Sequence, residues 1–121
     1  MIDHTGVHVS DVAESKAFYR SALAPLGYAV IVEFGGDVGF GVPPKPDFWI
    51  GQTEDDVLPT HIAFRADNRQ QVDAFHKAAL AAGGRDNGEP GLRPDYHANY
   101  YGAFVLDPDG HNIEAVCHAP E

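Results

Sequence analysis

The chain has 121 residues, 44% hydrophobic and 21% charged, the size and make-up of one globular domain. Its net charge of −10 repels phosphate backbones and anionic bilayers, which argues against nucleic acid or a membrane as partner. Cys117 is the only cysteine, so an intrachain disulfide is excluded; with no signal-type N-terminus and no apolar run near the ~20 residues that cross a bilayer, the expected location is the cytoplasm.

The first predicted element is a short strand in DHTGVHV, where His4, Gly6 and His8 share one face and Thr5, Val7 and Val9 the other. A helix follows. Asp11 is a good N-cap with Glu14 three residues on, Phe18, Ala22 and Leu26 form its apolar stripe, and Gly27 suits its end. Three strand-like runs come next: YAVIVEF (28–34), DVGFGV (37–42) and DFWIGQ (47–52). The glycines of GGDVGFG lack the spacing and the Lys-Ser/Thr of a phosphate loop and read as a hairpin.

At PTHIAF the pattern restarts. Shifting the chain by 57 residues lays DHTGVHVSDVAESKAFYRSALAPLG over THIAFRADNRQQVDAFHKAALAAGG without a gap. Seven positions are identical, His4/His61, Phe18/Phe75 and Gly27/Gly84 among them. Convergence of two amphipathic helices explains matched alanines, but not histidines and glycines in register. Here His61, Ala63 and Arg65 share a strand face, Asn68 and Gln71 cap the helix, and Val72, Phe75 and Ala79 form its stripe. A polar stretch near 85–89, a loop EPGLRPDYH (89–97), and strands in ANYYGAFVL (98–106) and HNIEAVCH (111–118) complete the copy, with DPDG (107–110) as a hairpin turn. The fold class expected is α+β: duplicated β-α-β-β-β modules, about 1–56 and about 57–121 of a single domain at 1–121. Each small sheet needs the other to close a trough, where a ligand would bind.

Matched positions put His4 and His61 on opposite sides of that trough. Glu114 lies on an otherwise apolar last strand, where a buried carboxylate needs a cation, a metal or a proton. Two imidazoles and a carboxylate form a facial triad suited to a divalent Fe, Mn, Ni, Co or Zn ion with open coordination positions. The bland alternative is a pair of structural strand histidines.

Other residues bear on the trough. His8 shares the face of His4, as a proton shuttle or as a packed histidine at the solvent edge. Arg65 would bind an anionic substrate group or form a surface salt bridge. The run RPDYHANYY brings Arg93, Tyr96, His97, Tyr100 and Tyr101 together as substrate contacts or acid–base groups, or else as an aromatic dimer rim. His97 has no counterpart in the first copy and reads as lining the site rather than as a ligand. His111, after the turn, is expected at the surface, and Cys117, pointing opposite Glu114, in the core. No serine–histidine–acid set is present.

Three stretches, DHTGVHVSDVAESKAFYRSALAPLGY, PTHIAF and LDPDGHNIEAV, make nearly the whole chain resemble the vicinal oxygen chelate superfamily. That superfamily holds glyoxalase I, fosfomycin-resistance thiol transferases, extradiol dioxygenases, epimerases and bleomycin-binding proteins. The resemblance implies metal ligands at His4, His61 and Glu114. From the residues themselves, Glu114, Tyr96, His97 and Tyr100 are the catalytic candidates and His8, Arg65, Arg93 and Tyr101 the substrate contacts. The resemblance further implies a divalent transition metal (Zn, Ni, Mn or Fe), a small-molecule substrate with adjacent oxygens, and a homodimer, since the family commonly pairs modules across chains. Glyoxalase I-like members carry a fourth, carboxylate ligand in the first half. An offset of 64, from Phe40/Phe104 and Pro44/Pro108, puts Ile50 at that position, and Glu54 is too far along, so a three-ligand site is expected. Lyase or isomerase chemistry leads, followed by dioxygenation or thiol transfer. Metal-free ligand binding and a regulatory module are the alternatives from other classes.

Overall fold

Both helices begin where a side chain can satisfy a free backbone donor. In the computed structural model, which describes residues 1–121, the Asp11 carboxylate accepts from the Glu14 amide at 3.2 Å and Asn68 Oδ1 from the Gln71 amide at 2.9 Å. Helix α1 then runs over Val12–Leu23, continued by a 3-10 turn at Ala24–Leu26, and α2 over Arg69–Ala81. Gly27 (φ 86°) and Gly83 (φ 101°) end them in the left-handed region. The reciprocal half forms in neither capping box: the Glu14 and Gln71 amides donate to the side chains of their caps, but neither side chain returns to the cap amide. Gln71 Oε1 accepts from the amide of Asp67 at 2.7 Å, one residue before the cap.

The strands are β1 (Thr5–Val9), β2 (Ala29–Phe34), β3 (Asp37–Gly41), β4 (Phe48–Gln52), β5 (His61–Arg65), β6 (Arg85–Leu92), β7 (Tyr101–Leu106) and β8 (Asn112–Cys117). They form two four-stranded sheets of identical order, β1-β4-β3-β2 and β5-β8-β7-β6. In each, the first strand pairs parallel with the last and the other pairings are antiparallel. The expected duplicated α+β fold is therefore present. β6 is longer than the sequence suggests, because register shifts around Gly88 carry pairing through what reads as a loop.

One core of 21 buried residues serves both sheets and both helices. Phe48 of β4 meets Phe64 of β5 edge-on at 5.1 Å between ring centroids, and Tyr28 meets Phe64 at 5.4 Å. The helix stripes read from the sequence, Phe18/Ala22/Leu26 and Val72/Phe75/Ala79, are all buried in it. Each sheet thus turns one face to the shared core and the other away from it.

The register corrects one expectation. Gly6 pairs with Trp49, and at the matching place in the second sheet Ala63 pairs with Glu114. Trp49, not Ile50, is therefore the counterpart of Glu114. Ile50 is 0% exposed and faces the core. The Phe40/Phe104 identity misleads by one residue, since Phe40 is a core residue whereas Phe104 pairs with Glu114 on the outward face. A slip of one position reverses every side chain of a strand.

His111 is a second correction. It is 1% exposed, held because its ring satisfies backbone groups of both halves. The Thr60 amide can only donate, so Nδ1 accepts at 2.9 Å, and Nε2–H donates to the carbonyl of His8 at 2.8 Å. Asp107 of the DPDG turn is also buried, accepting from the His111 and Asp109 amides and from the hydroxyl of Tyr19 on α1.

Candidate functional site

The outward face of the second sheet is built around Glu114. Its side chain is 2% exposed, yet it lies on the face of β8 that turns from the core, alongside His61 of β5. Tyr100, just ahead of β7, donates its hydroxyl to Glu114 Oε2. Gly102 leaves room for both: a methyl there would stand 3.2 Å from the Tyr100 ring and 3.4 Å from Oε2. Burial, then the hydrogen bond and negative charge of Glu114, push the Tyr100 phenol well above its ordinary range. It remains a hydrogen-bond donor at neutral pH.

His61 has a fixed orientation. Its Nδ1 lies 2.9 Å from the carbonyl of Asn112, which can only accept, so Nδ1 carries the proton. In the neutral ring the Nε2 lone pair then points outward, 3.1 Å from Glu114 Oε1. Two lone-pair atoms face each other there, and only a proton or a cation resolves that contact. Ligands at about 2.0–2.2 Å from a zinc-like ion, set near right angles, stand about 3 Å apart. The donor pair and its carbonyl-anchored imidazole therefore fit a divalent metal.

Aromatic side chains extend this wall. Phe104 stacks against His61 (6.3 Å, 27°), and the Arg93 guanidinium lies 5.4 Å from the Phe104 ring centroid, donating to the carbonyls of Glu89 and Gly91. Tyr96 and His97 meet the Tyr100 ring edge-on at 4.8 and 5.3 Å. The Asn99 amide donates to His97 Nδ1, so Nε2–H of His97 donates to His118 Nδ1 at 2.7 Å.

The expected residues thus divide. Glu114, His61, Tyr100, Tyr96, His97 and Arg93 gather on or beside the second sheet's outward face. Tyr101 does not: its hydroxyl bonds Asp73 of α2 at 2.7 Å and its ring carries Arg69, so it faces the helix. The bond to Asp73, then burial, raise its phenol. Arg65 shares the strand face of His61 but sits at the other end of β5, in a cleft with Cys117 and His118.

His4 and His8 lie on the outward face of the first sheet, in an open cavity of about 460 Å³ with Phe34, Asp37 and Trp49. All its lining residues fall between 4 and 51, and no group of three or more metal-ligating side chains forms within one chain. His4 is therefore apart from His61 and Glu114. Its Nδ1 lies 2.7 Å from Asp3, whose carboxyl is lowered by that bond and by Lys45.

Phe104 and His118 escaped the sequence reading as site residues. Strand parity puts Asn112 on the face of Glu114, but it acts through its backbone carbonyl, which no residue type signals. His118 carries no local signal, because its partner His97 is 21 positions away.

Residues 1–115 match the model of the Glyoxalase/Bleomycin resistance protein/Dioxygenase superfamily. Among solved structures, a glyoxalase/bleomycin resistance protein from Albidiferax ferrireducens T118 is 31% identical with a TM-score of 0.86, covering 95% of this chain and 97% of its own. Two more distant structures share the fold. Oxidase ChaP-H1 is 22% identical (TM-score 0.71, covering 98% and 96%), and a glyoxalase-related enzyme from Fulvimarina pelagi is 16% identical (0.74, 97% and 87%). No curated protein matches the chain.

Proposed function

Because the chain belongs to the glyoxalase/bleomycin resistance protein/dioxygenase superfamily, we propose that it is a metal-dependent enzyme of glyoxalase type. It acts as a lyase or isomerase on a small molecule with adjacent oxygens. The observation that carries this reading is His61 Nε2 standing 3.1 Å from the buried Glu114 carboxylate while Nδ1 is held by the Asn112 carbonyl. His61 and Glu114 would hold the ion, and His4 of a second copy in a homodimer would be the third ligand, since His4 of the same chain stands apart. When bound, a divalent ion supplies Lewis-acid polarisation of the substrate oxygens. The Tyr100 hydroxyl fixes the Glu114 rotamer and keeps one carboxylate oxygen satisfied. Tyr96 and His97 form the rim through which protons pass to or from the substrate, and Arg93, braced on Phe104, attracts its anionic part. Dioxygenation or thiol transfer would use the same residues.

One observation favours a second reading. Tyr100 and His61 together can answer the charge of Glu114 without an ion, as a metal-free ligand-binding protein would require.

Elemental analysis of protein purified without chelator or nickel affinity decides between them. About one transition metal per chain, lost in Glu114→Gln and His61→Ala, is the expected result. Wild-type protein that stays metal-free after reconstitution with zinc, nickel, manganese and iron would overturn the enzymatic reading.

A further inference from the structure

The first sheet carries recognition chemistry that the metal reading does not use. Where the second sheet places Glu114, this one places Trp49, the only tryptophan in the chain. The benzo edge of its indole lies over Gly39, where a methyl group would stand 3.0 Å from the ring. Phe34 stands 5.9 Å away at 58° and is 61% exposed. Two large aromatic rings are thus held at an angle on an open face, where burial gains them little. Beside them is Asp37, whose carboxylate borders Gly51 and joins no ion pair within the chain. No lysine or arginine lines the cavity, and the whole chain carries a net charge of −10.

An aromatic pair with a free carboxylate is the chemistry that selects an organic cation. The electron-rich ring faces attract the positive charge, the carboxylate neutralises it, and an anion gains nothing there. We propose that the Trp49–Phe34–Asp37 corner binds the protonated amine of a small ligand and stacks the apolar body attached to it. This deepens the reading above, for it rests on the first-sheet face of one copy meeting the second-sheet face of the other in the homodimer, where the amine would anchor a substrate whose oxygens reach Glu114. The corner itself belongs to a single half of a single chain, so it can be tested apart from the metal.

Trp49 is its own reporter. Chelator-treated wild-type protein is titrated with 2-phenylethylammonium, 2-phenylethanol and 3-phenylpropionate, exciting indole at the red edge where a phenyl ring does not absorb. Saturable change with the ammonium is expected, about tenfold weaker binding of the alcohol, and none of the carboxylate. Calorimetry on folded variants completes the test. Trp49→Phe keeps the affinity within a few fold, Trp49→Leu loses about tenfold, and Asp37→Asn removes the preference for ammonium over alcohol. Equal binding of ammonium and alcohol, unchanged affinity in Trp49→Leu, or no saturable binding would each overturn the proposal. Glu114→Gln is expected to bind the ammonium as wild type does. Metal without ammonium binding therefore refutes this corner alone, and ammonium binding without metal refutes the metal reading alone.

Discussion

The two outward sheet faces share strand order, register and a first-strand histidine, yet they have been given opposite chemistry. At one pleat position the second sheet carries Glu114, buried under Tyr100 and Gly102; at the same position the first carries Trp49 over Gly39. A buried acid needs hydrogen-bond donors, whereas the indole needs the room that Gly39 leaves beneath it. The surrounding residues differ accordingly. A duplicated scaffold can thus separate charge handling from recognition without altering its backbone plan.

The sharpest way to break the comparison is to put a carboxylate in the first sheet at adjacent positions. Ile50→Glu places a charge in the shared core, where Ile50 is fully buried. We expect destabilisation of at least about 4 kcal/mol, a large share of the stability of a typical domain of this size. Trp49→Glu puts the same group on the open face, so the fold should survive and metal affinity should rise roughly tenfold or more as a fourth ligand becomes available. Thermal melts and competition with a chelating dye measure both. If Ile50→Glu were tolerated and Trp49→Glu unfolded the chain, the register described here would be wrong.

That pair of residues also marks where sequence reading stopped. The repeat brought His4 and His61 into register because β1 and β5 begin each copy, with no loop to accumulate error. It located Glu114 as well, because a carboxylate among Ile113, Ala115 and Val116 is conspicuous. Past the helices the copies diverge in loop length and bulges, at Val30/Val32 and around Gly88, and a chance phenylalanine match set the alignment one residue out. His111 was misplaced for another reason. A histidine after a turn reads as exposed, and its partner, the carbonyl of His8, lies 103 positions away. Long-range satisfaction of backbone groups leaves no local trace.

The proposed division of metal ligands between faces yields a mixing experiment of intermediate size. His4→Ala and Glu114→Gln chains should each lose metal alone. Refolded together, a mixed dimer regains one intact site, formed by His4 of one chain with His61 and Glu114 of the other. With random pairing, metal should return to about a quarter of all sites. No recovery, alongside a metal-replete wild type, would place the three ligands within one chain.

The smallest expected effect concerns the hydroxyl that holds Glu114. Tyr100→Phe leaves a buried carboxylate oxygen without its donor, at a cost of about 1–3 kcal/mol at neutral pH. The phenol's folded-state value is raised, so the native state holds that proton more tightly than the unfolded chain. Its contribution is complete below the ordinary phenol value of about 10 and is lost as pH rises through the raised value. Tyr19, raised by burial and by Asp107, adds to the same alkaline decline in both proteins. The stability gap between wild type and Tyr100→Phe should therefore be constant up to about pH 10 and narrow above it. Urea melts at stepped alkaline pH would show this, and a gap that widened with pH would mean that Glu114 is not what holds the Tyr100 proton.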